Sequence, residues 1–189
     1  FNGDGFDYNL KINKLNKNDA ECEIINRTPN KAVEENITVF LAMLKNEALS
    51  EAIDNVCELN VTKCYLFEAD RSVAKIDNKK LDKLNQIAIQ ACKQSERARI
   101  MDIEIINKAQ MIDLISKMGN VFFAYEDAIT KPTKFSGGFA VIIGPEGGFS
   151  LGEVELFSKY AKTISLGNTI LRAQVACVTS VSMLKAVRV

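Results

Sequence analysis

A carboxylate set among glycines adds little to packing, and Gly144-Pro145-Glu146-Gly147-Gly148-Phe149 carries one. Glycines at the end of an apolar run let the backbone take positive φ and come close to a ligand, while Pro145 stiffens the turn. That combination reads as a binding loop. No Lys-Ser or Lys-Thr follows, so it is not a Walker loop; nor is it G-x-G-x-x-G, so nucleotide phosphates match it poorly. A second loop, Leu166-Gly167-Asn168-Thr169-Ile170-Leu171-Arg172, puts Arg172 at a predicted helix start, where a cation opposes the helix dipole. Such a cation either serves a ligand or pairs with a carboxylate such as Glu146. A third candidate is Ala124-Tyr125-Glu126-Asp127. Together the three loops could wall one pocket.

Loops of this kind need a scaffold, and the hydrophobic pattern predicts one from Ile37 onward. Residues 37–44 form an apolar run of strand length, and Leu49, Ala52, Ile53, Val56 and Leu59 then repeat at helical spacing. Residues 63–69 predict a second strand, and Leu81, Leu84, Ile87, Ala88, Ala91 and Cys92 a second helix. Ile112, Ile115 and Met118 mark a third helix, expected to stop in a left-handed cap at Gly119. Residues 121–125 and 139–143 read as strands. Ser150-Leu151-Gly152-Glu153 is a capping box, predicting a helix over 151–161. A strand over 163–166 and a helix over 173–187 complete the pattern. This alternation predicts an α/β fold: a mostly parallel sheet with helices on both faces and ligands at the carboxyl ends of the strands. All three candidate loops fall at such ends.

The first thirty residues follow a different rule. Phe6, Tyr8, Leu10 and Ile12 alternate with polar residues, as do Ala20, Cys22 and Ile24, and residues 14–19 form a polar turn, which predicts an antiparallel hairpin. Two strands alone are marginal in water. The hairpin is therefore expected to be the edge or remnant of a small β domain over residues 1–30, with 31–189 as the α/β domain and Thr28-Pro29-Asn30 with Glu34-Glu35 as the linker. The first residue is Phe1 rather than Met, so a segment is expected to precede it.

The chain has 189 residues, 47% hydrophobic and 25% charged, enough to bury a real core. It holds no apolar run near the roughly 20 residues of a membrane helix and no signal-peptide pattern, so a soluble cytoplasmic protein is expected. The five cysteines form no C-x-x-C pair and read as buried free thiols. There is no histidine, which removes the usual general base, the Ser/His and Cys/His arrangements and most zinc sites; no metal is expected. The net charge is zero, but it is unevenly spread. Residues 1–70 carry seven basic and thirteen acidic residues, net −6, and residues 71–99 carry eight and three, net +5. That basic stretch is either a phosphate-contacting helix with its flanks or a solvated face.

Read together, GPEGGFS, SLGNTILR, the upstream FAYE, and RSV with IAIQACKQSERAR resemble the ribosomal RNA small subunit methyltransferase E family of the SPOUT superfamily, over the whole chain. The resemblance implies a PUA-like β barrel joined to an α/β domain with a C-terminal trefoil knot. It also implies a homodimer that uses S-adenosylmethionine to methylate N3 of a uridine in 16S rRNA of the small ribosomal subunit. By the same likeness, Gly144, Pro145, Glu146, Gly147, Gly148, Leu166, Gly167, Ile170 and Leu171 hold adenine and the methionine moiety, with Ala124, Tyr125 and Glu126 closing the pocket. Arg71, Ser72, Gln94, Ser95, Arg97 and Arg99 match positions of RNA contact.

Some positions depart from the family pattern. The family usually reads L-R-x-E-T-A where this chain has Leu171-Arg172-Ala173-Gln174-Val175-Ala176. Lys is common where Ala48 and Asn55 stand, and Gly where Glu96 stands. Uracil N3 must lose a proton before it attacks; with no histidine, Arg172 is expected to stabilise the developing anion and Glu146, or water, to take the proton. Two other readings stay open. One is a catalytically weak RNA-binding assembly factor of the same fold, favoured by Gln174 and Val175. The other is an unrelated α/β enzyme using a nicotinamide or a nucleotide, which the missing phosphate fingerprint disfavours.

Overall fold

The computed structural model describes residues 3–32 and 34–189; Phe1 and Asn2 of the expected 1–30 segment lie outside the described residues. The first elements are the expected hairpin, strands β1 (Phe6–Leu15) and β2 (Ala20–Pro29), paired antiparallel with register shifts between Asn9 and Leu10 and between Ile12 and Lys14. Then follow β3 (Ile37–Ala42), α1 (Asn46–Glu58), β4 (Lys63–Phe67), α2 (Asn78–Gln94), β5 (Asp102–Ile106), α3 (Lys108–Ser116), β6 (Val121–Ala124), β7 (Phe139–Ile143), α4 (Leu151–Phe157), β8 (Lys162–Ile164) and α5 (Ala173–Val187). Strands β3 to β8 form one parallel sheet in the order β5-β4-β3-β7-β6-β8.

Every residue of β3 and of β7 is buried, as expected for strands covered on both faces. Alternation then divides the core in two. Val39, Leu41, Leu66, Val141 and Ile143 join the cluster made with α1, α2 and α5, through Ile53, Val56, Leu84, Cys177 and Val181. Phe40, Ala42, Phe67, Phe123 and Ile142 face the other way, against Met111 and Ile115 of α3 and Phe157 of α4. In that second layer Phe123, Phe149 and Phe157 meet edge to face at 5.0–5.8 Å. Burying each such side chain contributes about 1.5–3 kcal/mol, and the same packing fixes the strand ends on which the loops stand.

Helix ends show how local chemistry sets the boundaries. Asp77 caps α2 by accepting from the Lys80 N–H at 2.8 Å, and Asn107 with Gln110 forms a capping box on α3. The expected Ser150/Glu153 box on α4 is present. Both α1 and α2 end in a residue with left-handed backbone, Asn60 (φ 64°) and Glu96 (φ 57°). After α2 the Arg97 N–H reaches the Cys92 carbonyl and the Glu96 N–H the Lys93 carbonyl, the paired bonds of a Schellman turn.

The structure corrects several expectations. Strand β5 was absent from the predicted pattern, because Asp102 and Glu104 interrupt its apolar residues. It is an edge strand whose charged side chains face out, while Ile103 and Ile106 are buried. Gly119 is not left-handed: α3 ends at Lys117 with right-handed backbone (φ −98°, ψ −6°). Helix α4 stops at Phe157, and turns carry the chain on to Ala161. Tyr125 and Leu166 lie just past the ends of β6 and β8, which places them in loops at the site. Cys57, Cys64, Cys92 and Cys177 are buried free thiols, whereas Cys22 is exposed on the hairpin. No helix among the described residues is long and apolar enough to cross a membrane.

Candidate active site

Strands β7, β6 and β8 are consecutive neighbours in the sheet, so the loops leaving their carboxyl ends must lie side by side. They wall one open cleft of roughly 1610 Å³, lined by Ala124, Tyr125 and Glu126, by residues 144–149, and by Leu166, Gly167, Ile170, Leu171 and Arg172. The first turns of α1, through Lys45, Glu47, Ala48 and Glu51, supply a further wall. The volume exceeds the roughly 300–1,000 Å³ of an ordinary small-molecule site, as expected for a cleft open to solvent.

The glycines of the first loop are needed for different reasons. A Cβ at Gly144 would sit 2.7 Å from the Phe149 ring, so this glycine lets the buried aromatic pack under the loop. Gly148 has φ +68° and closes a turn by donating its N–H to the Pro145 carbonyl at 2.9 Å. A Cβ there would also meet the Glu126 carboxylate at 2.9 Å, so the first and third loops touch at this point. Gly167 has φ +131° with nothing within 4 Å of where a Cβ would stand. Its Cα faces open space, while its N–H and its carbonyl both meet the Ser165 hydroxyl at 3.3 Å. Ile170 and Ile129, beside it in the cleft lining, are 89% and 94% exposed.

The charged groups have distinct positions. The Glu146 carboxylate accepts the Lys45 N–H at 3.0 Å, at the N-cap of α1. Arg172 is the N-cap of α5, makes no side-chain capping bond, and among the described residues joins no ion pair. The pairing of Arg172 with Glu146, left open by the sequence, is therefore absent. Gln174 donates instead to Glu51 on α1 at 3.3 Å. Tyr125 donates its hydroxyl to Asp127 at 2.9 Å; that bond, with the carboxylates around it, pushes the phenol above its usual pKa, so it stays protonated at neutral pH.

The six residues matched to RNA contact divide into two places. Arg71 and Ser72 follow β4 and lie against the first loop, where the Arg71 guanidinium donates to the Gly147 carbonyl at 3.1 Å. The Ser72 hydroxyl accepts from the Ala69 N–H. Gln94, Ser95 and Arg99 lie at the other end of α2, near the hairpin, where the Gly5 N–H reaches the Ala98 carbonyl. The Ser95 hydroxyl donates to Ala91 and Arg99 pairs with Glu34 at 3.3 Å. Arg97 is a correction: it is 4% exposed and donates to the Cys57 carbonyl at 2.7 Å, so its guanidinium ties α2 to α1 instead of facing solvent. The 17 residues of α2 span about 25 Å, and carry Lys79, Lys80 and Lys83 between the two places.

Sequence reasoning missed Lys45, Glu47 and Glu51 at the cleft, because no motif marks them and only the packing of α1 brings them there. It also missed Lys108. This residue pairs with Asp70 and with Glu153, the latter at 2.7 Å, beneath the Arg71 loop. No group of His, Cys, Asp or Glu among the described residues could hold a metal.

The family model for the RNA methyltransferase domain matches residues 31–185. Ribosomal RNA small subunit methyltransferase E of Rickettsia conorii is 28% identical over 98% of this chain and 78% of its own length. The enzyme of the same name from Bacillus subtilis is 30% identical over 92% and 75%. Among solved structures, a methyltransferase from Legionella pneumophila in complex with bound cofactor SAM superposes with a TM-score of 0.89 at 28% identity, covering 100% of this chain and 81% of the other. With the three loops in one cleft and these likenesses along nearly its whole length, the chain belongs to the ribosomal RNA small subunit methyltransferase E family of RNA methyltransferases.

Proposed function

We propose that this chain transfers the methyl group of S-adenosylmethionine to N3 of a uridine in 16S rRNA of the small ribosomal subunit. The observation that carries the reading is the meeting of three strand-end loops in one cleft, in a chain of this family. The cleft suits the cofactor. Backbone at Gly144, Pro145, Glu146, Gly147 and Gly148 and at Leu166 and Gly167 offers donors and acceptors to adenine and to the methionine end. Ile170 and Leu171 offer apolar cover, and Ala124, Tyr125 and Glu126 close one side. The open space beside the Gly167 Cα and the exposed Ile170 are the features a bound adenosyl group would cover.

When bound, S-adenosylmethionine supplies an electrophilic methyl carbon; the chain's own residues must align the uracil, exclude water and remove one proton. Arg172, unpaired at the cleft mouth, stabilises the negative charge that develops on a uracil carbonyl oxygen as N3 loses its proton. Glu146, or water, accepts that proton. The Lys45 bond to one oxygen of Glu146 fixes the carboxylate at the cleft wall. RNA lies along α2, held by Arg71 and Ser72 at the cleft and by Gln94, Ser95 and Arg99 near the hairpin.

The wider architecture follows the family reading. The apolar side chains of Leu10, Ile12, Leu15 and Ile24 stand exposed on the hairpin, which supports a PUA-like β domain over residues 1–30 whose other strands cover them. The knot is supported by the chain path: β8 pairs with β6 beyond β7, the Ser165 N–H bonds to the Thr130 carbonyl, and the Phe135 bridge to Arg188 brings the chain end back to the 125–138 loop. A homodimer through α5 and the knotted loops would cover Ile129 and Val175, and the protein would act in the cytoplasm on small subunits.

Incubation with labelled S-adenosylmethionine and unmethylated 30S subunits tests the activity, followed by nuclease digestion and identification of the labelled nucleoside. Label in 3-methyluridine is expected. Tight 30S binding without label in rRNA would replace the enzyme reading with that of an assembly factor.

A further inference from the structure

Glu153 is 3% exposed, yet it is a charged residue on the first turn of α4. Its carboxylate gathers three donors: the Asp70 N–H at 2.8 Å, the Ser150 N–H at 3.0 Å and the Lys108 ammonium at 2.7 Å. Lys108 also pairs with the Asp70 carboxylate, which accepts the Ser150 hydroxyl as well. These bonds join the loop after β4, the start of α3 and the loop after β7. Strand β3 lies between β4 and β7 in the sheet, so the cluster bridges over its carboxyl end. Helix capping explains the Ser150 bond alone. It does not explain why a second loop and a lysine from beside the edge strand β5 meet at the same buried carboxylate.

The residue next to Asp70 gives the reason. The Arg71 guanidinium donates to the Gly147 carbonyl at 3.1 Å, and a Cβ on Gly147 would lie 3.3 Å from the Arg71 Cβ. Arg71 is exposed, and a guanidinium carries five N–H donors in a rigid fork, so the bond to Gly147 leaves several for a phosphate. We propose that Arg71, held by the Asp70–Lys108–Glu153 cluster, is a positioning residue that couples RNA binding to the cofactor loop. A phosphate on the free edge of the guanidinium fixes the side chain that holds Gly147, and an ordered cofactor loop in turn presents that guanidinium to the phosphate. Each ligand thereby tightens the other by the same factor, as linkage requires. The inference rests on the proposed rRNA substrate.

The test measures 30S affinity with and without S-adenosylhomocysteine, and S-adenosylhomocysteine affinity alone, for the wild type, Arg71→Ala, Lys108→Met and Lys108→Arg. In the wild type, S-adenosylhomocysteine is expected to tighten 30S binding by about 5-fold or more. Arg71→Ala and Lys108→Met are expected to lose that coupling, and Lys108→Arg, which can donate to both carboxylates, to restore it. Amide exchange at Gly147 and Gly148 should speed up in Arg71→Ala, an exposed position whose loss leaves the core intact. Wild-type coupling retained in Arg71→Ala, or no coupling in a wild type that does methylate 30S subunits, overturns the inference alone. A wild type that labels no rRNA overturns the function on which it rests.

Discussion

The Glu146 carboxylate accepts the backbone N–H of Lys45 at 3.0 Å across 101 residues of sequence, so the residue proposed for proton transfer is also the latch between the loop after β7 and α1. The two roles can be separated. A glutamine oxygen accepts the same hydrogen bond but cannot take a proton at neutral pH. Glu146→Gln is expected to bind S-adenosylhomocysteine as the wild type does while turnover on 30S subunits falls by roughly 10²–10⁴-fold. Glu146→Ala loses the latch as well, and cofactor affinity should drop by about 5-fold, the worth of about 1 kcal/mol for one hydrogen bond. Normal turnover in Glu146→Gln, measured by labelled methyl transfer, would leave water as the proton acceptor.

Arg172 has no described partner at the N-terminus of α5, where the helix dipole disfavours a cation. Removing it should therefore cost no stability. Arg172→Ala is expected to lower kcat by about 10²–10³-fold, the usual loss for one donor to a developing anion, with its melting temperature and S-adenosylhomocysteine affinity unchanged. Retention of kcat would remove Arg172 from the chemistry.

Much of this was legible in the sequence, for a physical reason: strand periodicity, the capping box and the glycine loops are local signals. The capping box at Ser150 and the loops at 144–148 and 166–172 depend on residues within a few positions of one another. What was illegible is non-local. Nothing in the string around Arg71 says that its guanidinium meets Gly147, 76 residues away, and nothing around Arg97 says that it turns inward to the Cys57 carbonyl. As one basic residue in a basic stretch, Arg97 looked like a surface contact. Strand β5 was hidden because an edge strand tolerates charges between its apolar residues, which weakens the pattern that marks a buried strand.

Glu35, between the hairpin and β3, receives Lys185 at 2.6 Å and Arg188 from the end of α5. Burial pushes its carboxyl up, but the Lys185 hydrogen bond and charge, the Asn60 amide and the Arg188 charge outweigh it and hold the pKa below the usual value. A depressed folded-state pKa gives stability that is present above the unfolded value and lost as pH falls through the folded one. Glu35→Gln is therefore expected to be less stable than the wild type at pH 7, by on the order of 1 kcal/mol for a partly exposed pair. The difference should shrink below about pH 4, near the ordinary carboxyl value. Urea unfolding at pH 7 and pH 3.5 measures it, and an equal difference at both would show that charge is not what binds the chain end to the linker.

Glu96 occupies a position that backbone conformation reserves for glycine. The Schellman turn after α2 requires left-handed backbone at the residue that follows the cap, and Glu96 supplies it at φ 57° at a cost of roughly 1–2 kcal/mol for an L-residue. Its side chain is exposed, and the turn uses only its backbone: the N–H donates to Lys93, and the carbonyl accepts from the Asn30 side chain at 3.2 Å. Glu96→Gly keeps both bonds and removes the strain, while the freer unfolded chain offsets part of the gain. A net increase in unfolding free energy of roughly 0.5–1 kcal/mol is expected. The control is Asn60→Gly at the equivalent turn after α1. Asn tolerates left-handed backbone well, and its amide donates to Glu35 at 3.4 Å, so that substitution should give no gain. Urea denaturation of both variants decides the matter: equal effects at the two sites would mean that backbone strain at Glu96 is not what glycine relieves.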